Sequence, residues 1–344
     1  MNEIKISMLG ISGSGKTAFL SGICDTFISG NIEVIDKKNN NDSHLFKILP
    51  YYADNLSETS VGDIRRYSIR NNRGFTSVST ENTKKYMLNI HDDCYDTSNP
   101  LCTISFIDYK GGFIEKLVNE HSDDDVKDVR NELLKSNVIL IFVDAIRLSS
   151  CTNAGQYSQS LGNDDINTFF NTNKFDNKKM TILFVLTKDD SPDVSTDDEI
   201  LIDRLMHAFE TSVKIIERNK WNLGIVRTSA VGRNVINREN NKINPDAEIR
   251  PYGIDTVLFY SIYRTISEEV TDICLKINDM EKANVITKMS KEYKNKMKIF
   301  RLQMEQTDEV LKYIKIPYNS LRISQNLIWE QKKGTTGISA VNES

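Results

Sequence analysis

GISGSGKT, residues Gly10 to Thr17, follows directly on the apolar run IKISML and leads into KTAFLSGI. No other stretch restricts the fold as much. Read as Gly-x-x-x-x-Gly-Lys-Thr, it is a loop between a buried strand and a helix whose backbone N–H groups converge on phosphate. The helix dipole adds to that attraction. Gly10, Ser12, Gly13, Ser14, Gly15 and Ala18 then line the phosphates of a nucleoside triphosphate, Lys16 adds a point charge to the outer ones, and Thr17 offers a hydroxyl to Mg²⁺. A second reading, Gly13-x-Gly15-x-x-Ala18 with Asp36 further on, opens a dinucleotide-binding fold but gives Lys16 and Thr17 nothing to do. A random chain of this length matches the first pattern with a probability on the order of one percent, and the second pattern is much looser. The triphosphate loop is the better reading.

Five further strand-length apolar runs occur: KYMLNI at 85–90, TISFID at 103–108, VILIFVDA at 138–145, TILFVLT at 181–187 and GIVRTSA at 224–230. Runs apolar on both faces suit a sheet buried between helices. Helical patterns lie between them: KTAFLSGICDTFI, FIEKLVNEHSDDDVKDVRNELLKS, DDEILIDRLMHAFETSVKIIERN, and a helix opening near Asp255. The expected fold is therefore α/β, a three-layer P-loop NTPase arrangement with a mostly parallel sheet and a C-terminal helical extension. Only DDCYDTSNPLC separates the second and third runs. That is short for a parallel crossover, so they form an antiparallel pair at the sheet edge.

Residues 31–84 and 146–178 read as long irregular stretches, polar and Asn-rich in the first case. From 271 to 316, apolar residues such as Ile273, Ile277, Met280, Met304, Leu311 and Ile314 recur at helical steps with Lys and Glu between them, until Pro317. This amphipathic extension either packs back on the domain or forms a partner-binding arm, part of it basic. The expected layout is a domain over 1–270 with a long insert at 31–84, the helical extension over 271–316, and a flexible tail over 317–344.

The bulk numbers exclude several classes. A net charge of -4 gives no pull toward nucleic acid or an anionic membrane. The opening MNEIKISML lacks the features of a signal peptide, and VILIFV is too short to span a bilayer. Five dispersed cysteines without a CxxC pair fit reduced thiols. A cytoplasmic protein without a zinc site or a membrane span is expected.

Three more motifs stand at strand ends. Asp108-Tyr109-Lys110-Gly111 is a DxxG: Asp108 can hold Mg²⁺ through water, and the Gly111 N–H can reach the γ-phosphate. Thr187-Lys188-Asp189-Asp190 fits [NT]KxD. The Asp190 carboxylate can accept from guanine N1–H and N2–H₂, a donor pair that adenine lacks. Lys188 lies over the base, and a backbone N–H near Ala230 in Thr228-Ser229-Ala230 can reach guanine O6.

The order GxxxxGKT, DxxG, TKxD, SA resembles the Ras-like (TRAFAC) GTPase domain over about residues 1–270. The GISGSGKTAFLSGI start and the large insert are similar to the bacterial double-GTPase-like group, whose members are often proposed to act in defence or conflict systems. The resemblance implies GTP or GDP with Mg²⁺, held by the residues above, and a protein partner that reads the nucleotide state. It also implies a switch threonine before the second of the six runs that binds Mg²⁺ and the γ-phosphate. Thr80 is preferred over Thr76 and Thr83, and with Lys16 it makes up the expected catalytic pair. The family pattern breaks at Gly112, where a water-orienting glutamine is usual. Intrinsic hydrolysis is then slow, or an activating protein or second copy supplies a residue. Arg65, Arg66, Arg70 and Arg73 are candidates within the chain. Two other readings stay open: an ATP-driven ATPase or kinase with Asp144 as its Walker-B aspartate, and a non-hydrolysing nucleotide-binding scaffold.

Overall fold

The computed structural model describes residues 3–23, 32–36, 42–50, 84–92, 100–108, 113–119, 124–175, 179–232, 235–237, 242–243, 250–319 and 326–331. In chain order the elements are β1 (Ile4–Leu9), α1 (Lys16–Ile23), β2 (Ile32–Asp36), β3 (Asp42–Pro50), β4 (Lys84–Asp92), β5 (Cys102–Asp108), α2 (Phe113–Asn119) and α3 (Asp124–Leu134). They continue with β6 (Val138–Asp144), α4 (Ala145–Ser150), α5 (Ala154–Leu161), α6 (Asn163–Thr172), β7 (Thr181–Thr187), α7 (Asp198–Ala208), α8 (Glu210–Arg218) and β8 (Asn222–Arg227). Last come β9 (Ile236–Asn237), β10 (Lys242–Ile243), α9 (Ile254–Glu281), α10 (Val285–Met289), α11 (Lys291–Tyr318) and β11 (Leu327–Glu330).

Nine strands form one sheet in the order β11-β8-β7-β6-β1-β5-β4-β3-β2. Its centre, β8-β7-β6-β1-β5, is parallel. Strand faces alternate between two cores. In β6, Val138, Leu140 and Phe142 face the core shared with α1, α9 and α11. Ile139, Ile141 and Val143 face the opposite core, shared with α2 to α8. The sheet is thus the middle of three layers, and its uninterrupted apolar runs are those of strands covered on both faces. This is the P-loop NTPase fold expected from the sequence.

β4 and β5 pair antiparallel, as their short connection requires. The antiparallel edge is wider than one strand: β3 joins β4 and β2 joins β3, both from the insert expected to be irregular. At the opposite edge β11 pairs antiparallel with β8, from residues expected in a flexible tail. The segment 146–178, also expected to be irregular, carries most of α4 together with α5 and α6. Their N-caps are Asp144 for α4 and Asn153 for α5, and Gly162, left-handed at φ 63°, joins α5 to α6. Such cap residues are also loop formers, which is why the stretch reads as irregular. The pattern over 113–136 resolves into two helices, α2 and α3.

α9 runs unbroken across the expected boundary at 270. Its first nine residues, Ile254 to Ile262, are all buried, and its far end emerges from the core. Asn284 caps α10 and Ser290 caps α11, which returns along α9. The Tyr293 hydroxyl donates to Met280 O at 3.0 Å across this hairpin. Pro317 lies in the last turn of α11, and the helix ends one residue later. Among the described residues no helix is long and apolar enough to cross a membrane.

Candidate functional site

β1 lies at the centre of the sheet, with β5 on one side and β6 on the other. The chain therefore changes direction around it, and the crevice at the carboxyl ends of such strands is where open α/β sheets take ligands. Gly10 to Gly15 leave β1 at that point, and Lys16 begins α1. Gly10, Gly13 and Gly15 have φ of 151°, 76° and 96°. A Cβ on Gly10 would stand 2.6 Å from Ser14 Oγ and 2.9 Å from Phe142 O, and one on Gly15 would meet the Thr187 side chain at 3.1 Å. Only glycine fits these two positions, and the loop curls tightly enough for Ser14 N–H to donate to Ile11 O at 3.3 Å.

Lys16 is buried, and its ammonium donates to Gly10 O at 2.7 Å and Ile11 O at 3.1 Å. This holds a positive charge over the loop. Among the described residues, Ser14 Oγ is buried without a hydrogen-bond partner. An orphaned hydroxyl inside a glycine cradle beside a lysine fits a phosphate ligand, which would supply the missing acceptor. Ser12 and Gly13 are exposed at the rim of the loop, while Thr17 and Ala18 sit in the first turn of α1.

The ends of β6 and β7 are aligned, Asp144 opposite Thr187, and β8 runs beside β7 with Arg227 opposite Leu186. This register brings the later motifs to the same side as the phosphate loop. The Thr187 hydroxyl donates to Ser14 O at 2.7 Å, which ties the TKDD loop to the phosphate loop. Lys188 takes a left-handed conformation, φ 59°, and its ammonium meets Asp144 Oδ2 at 2.5 Å. The Ser229 hydroxyl donates to Asp190 Oδ1 at 2.6 Å while accepting from the N–H groups of Val231 and Gly232 at 3.2 and 2.8 Å. Burial raises the Asp190 carboxyl above its ordinary value; the Ser229 hydrogen bond and Lys188 oppose that rise, and neighbouring Asp189 adds to it. A poorly solvated carboxylate with acceptor capacity left is one that a paired donor ligand can reward. Ala230 is half-buried beside Ser229, close to α1 at Gly22.

A brace unforeseen in the sequence holds these loops. Asp189 accepts from Arg227 Nε at 2.7 Å and from the Tyr252 hydroxyl at 2.8 Å. Arg227 also pairs with Asp198 at the start of α7 and donates to Ser195 O at 2.9 Å. Burial alone would lower the Arg227 pKa, but Asp189 and Asp198 outweigh it and hold the guanidinium above its ordinary value. Ser229 and Tyr252 exchange backbone hydrogen bonds at 3.1 and 3.0 Å. The only sequence signal was the first aspartate of TKDD, Asp189.

Asp144 is already engaged. Its Oδ1 accepts from Ile146 N and Arg147 N at 3.0 and 3.2 Å as the cap of α4, and its Oδ2 faces Lys188. Asp108 ends β5, beside β1, and only its backbone belongs to the described structure. Gly111, Gly112, Thr76, Thr80, Thr83, Arg65, Arg66, Arg70 and Arg73 lie outside the described residues.

No family model matches this chain, and no curated protein matches it. Among solved structures, the chain is similar to one from the signal recognition particle receptor SRb-GTP/SRX complex of Chaetomium thermophilum. The identity is 12% and the TM-score 0.37, with 67% of this chain and 93% of that chain covered.

Proposed function

We propose that this protein is a guanine-nucleotide-binding switch with slow intrinsic GTP hydrolysis. One observation carries the reading: Asp190, raised by burial, is held by Ser229 at 2.6 Å, on a loop whose Thr187 is bonded to the phosphate loop. That arrangement presents a base-reading carboxylate at a fixed offset from a phosphate cradle. Gly10 to Ala18 take the phosphates, with Lys16 on the outer ones. Lys188 lies along the base, steadied by Asp144, and Ser229 and Ala230 border the guanine edge. Thr17, Asp108 and Thr80 are the residues that would hold Mg²⁺, which neutralises charge on the β- and γ-phosphates. Gly111 would meet the γ-phosphate. Gly112 offers no side chain to orient water, so turnover stays slow until a partner protein or a second copy contributes a group. The partner reads the nucleotide state, and the resemblance of the GISGSGKTAFLSGI start to the bacterial double-GTPase-like group supports a role in a bacterial defence or conflict system. A cytoplasmic location accords with this role.

The ATPase reading needs Asp144 free for Mg²⁺. The use of this carboxylate as a helix cap and as the partner of Lys188 counts against it.

Asp190→Asn tests the base. Guanine loses its paired acceptor and xanthine gains a matching one, so GTP affinity falls by about 100-fold and xanthosine triphosphate affinity rises correspondingly. Equilibrium titration with both nucleotides and with ATP reads the result. Unchanged GTP binding, or ATP bound more tightly than GTP by the native chain, would defeat the proposal.

A further inference from the structure

Of the five large apolar side chains exposed among the described residues, four lie on the α9–α11 hairpin: Leu275, Met289, Ile299 and Leu302, each more than half exposed. α11 also segregates its charge. At 100° per residue, Lys294, Lys298, Arg301, Leu302, Glu305 and Glu309 fall within an arc of roughly 100°, and all six are exposed. Between Lys294 and Glu309 the basic residues of that arc precede Leu302 and the acidic ones follow it, while Lys291 and Lys312, exposed on the same arc, flank this stretch at either end. Among the described residues Lys294, Lys298, Glu305 and Glu309 have no ion-pair partner, while Arg301 meets Glu281 at 3.4 Å. A recess beside Lys294, Met297, Lys298 and Leu302 gives the face some relief.

From Lys294 to Glu309 this face is basic at one end, acidic at the other and carries Leu302 between them, so it is complementary to itself when turned end for end. We propose that α11 is the contact surface for a second copy of this chain, in an antiparallel two-fold pairing. A dyad between Arg301 and Leu302 sets Lys298 opposite the second copy's Glu305, and Lys294 opposite its Glu309. Symmetry repeats both pairs, and the two Leu302 side chains meet at the centre. The contact runs from Lys294 to Glu309, about 22 Å of helix, which is small for a stable interface, so the dissociation constant falls at about 10–100 μM. An acidic partner helix would suit the basic half alone and leave Glu305 and Glu309 opposed by like charge. The proposal rests on α11 and not on the nucleotide reading.

Sedimentation equilibrium of the full chain tests it, from about 5 to 500 μM at low salt, a range that brackets the expected dissociation constant. The mass rises from monomer to dimer with concentration, and salt of about 0.5 M weakens the association several-fold. Chains carrying Lys294→Glu with Lys298→Glu, or Glu305→Lys with Glu309→Lys, are each monomeric. Mixed together, they form a heterodimer at least about ten-fold tighter than the native dimer. That rescue also shows that both variants are folded. A native chain that stays monomeric throughout overturns the proposal, as does a reversal that leaves the dimer intact or a mixture that fails to associate. A monomeric chain that instead co-sediments with phosphatidylserine vesicles assigns the face to an anionic surface, and also overturns it.

Discussion

Asp190 has two settings, and the difference between them is measurable. Burial raises its folded-state pKa, so without ligand the neutral form persists to higher pH than for an ordinary aspartate. Its stabilising share is fully present below the unfolded value of 3.8 and is lost as pH rises through the raised value. Guanine binding runs the other way, because two N–H donors need the ionised carboxylate. GDP affinity is therefore expected to be flat near neutrality and to fall as pH drops through the raised value, by about ten-fold per pH unit below it. Asp190→Asn removes this dependence and leaves only that of the nucleotide. Fluorescence titration with a labelled GDP checks both curves, and an equal slope in the two proteins would remove Asp190 from the base site. The residues of this site were legible in the sequence because Gly, Lys, Thr and Asp stand at fixed spacings after apolar runs. Asp189, Arg227 and Tyr252 were not, because their partnership joins positions 38 and 63 residues apart and has no local spacing.

The elements most readable in the sequence are the six long apolar runs, since burial on two faces demands an uninterrupted pattern. β11 is the opposite case. LIWE is four residues long and carries no period, and only the open edge of β8 makes it a strand. Its attachment is substantial. Ile328 and Trp329 join the core beneath the sheet, while Leu327 joins the one above. Glu330 accepts from the Tyr260 hydroxyl at 3.0 Å and pairs with Arg264, which also lies over the rings of Tyr260, Tyr263 and Tyr318. Burial pushes the Tyr260 phenol up to about 12, so it remains a donor to Glu330 across the working pH range. β11 thus covers the edge of β8 with a short terminal strand and clasps α9 to the sheet. Trp329→Ala is expected to cost about 3 kcal/mol, read as a lower urea midpoint, whereas Met289→Ala on the exposed hairpin changes stability by less than about 0.5 kcal/mol. Equal effects from the two would mean that β11 is an ornament on the sheet.

Across the whole molecule the three-layer plan separates two regions with different work. The phosphate loop, the TKDD loop and the Ser229 turn leave the carboxyl ends of β1, β7 and β8, and hydrogen bonds already link the first to the second and the second to the third. A nucleotide spanning them adds bonds between elements that are far apart in sequence. The hairpin of α10 and the first turns of α11 lies beyond the point where α9 leaves the core, and Lys288, Met289 and Lys294 there are exposed. Ligand free energy is felt where the ligand's contacts oppose local opening, and elsewhere only through global unfolding. Hydrogen exchange with saturating GDP is therefore expected to slow by at least about ten-fold at Gly10–Lys16, Lys188–Ser191 and Ser229–Val231, and to remain unchanged at 285–296. Protection at the phosphate loop without protection at Ser229–Val231 would mean that the phosphates are held but the base is not read, which returns the site to a general triphosphate binder. Protection that reached 285–296 would mean that the hairpin is coupled to the nucleotide, so that the α11 face is presented or withdrawn with the bound state.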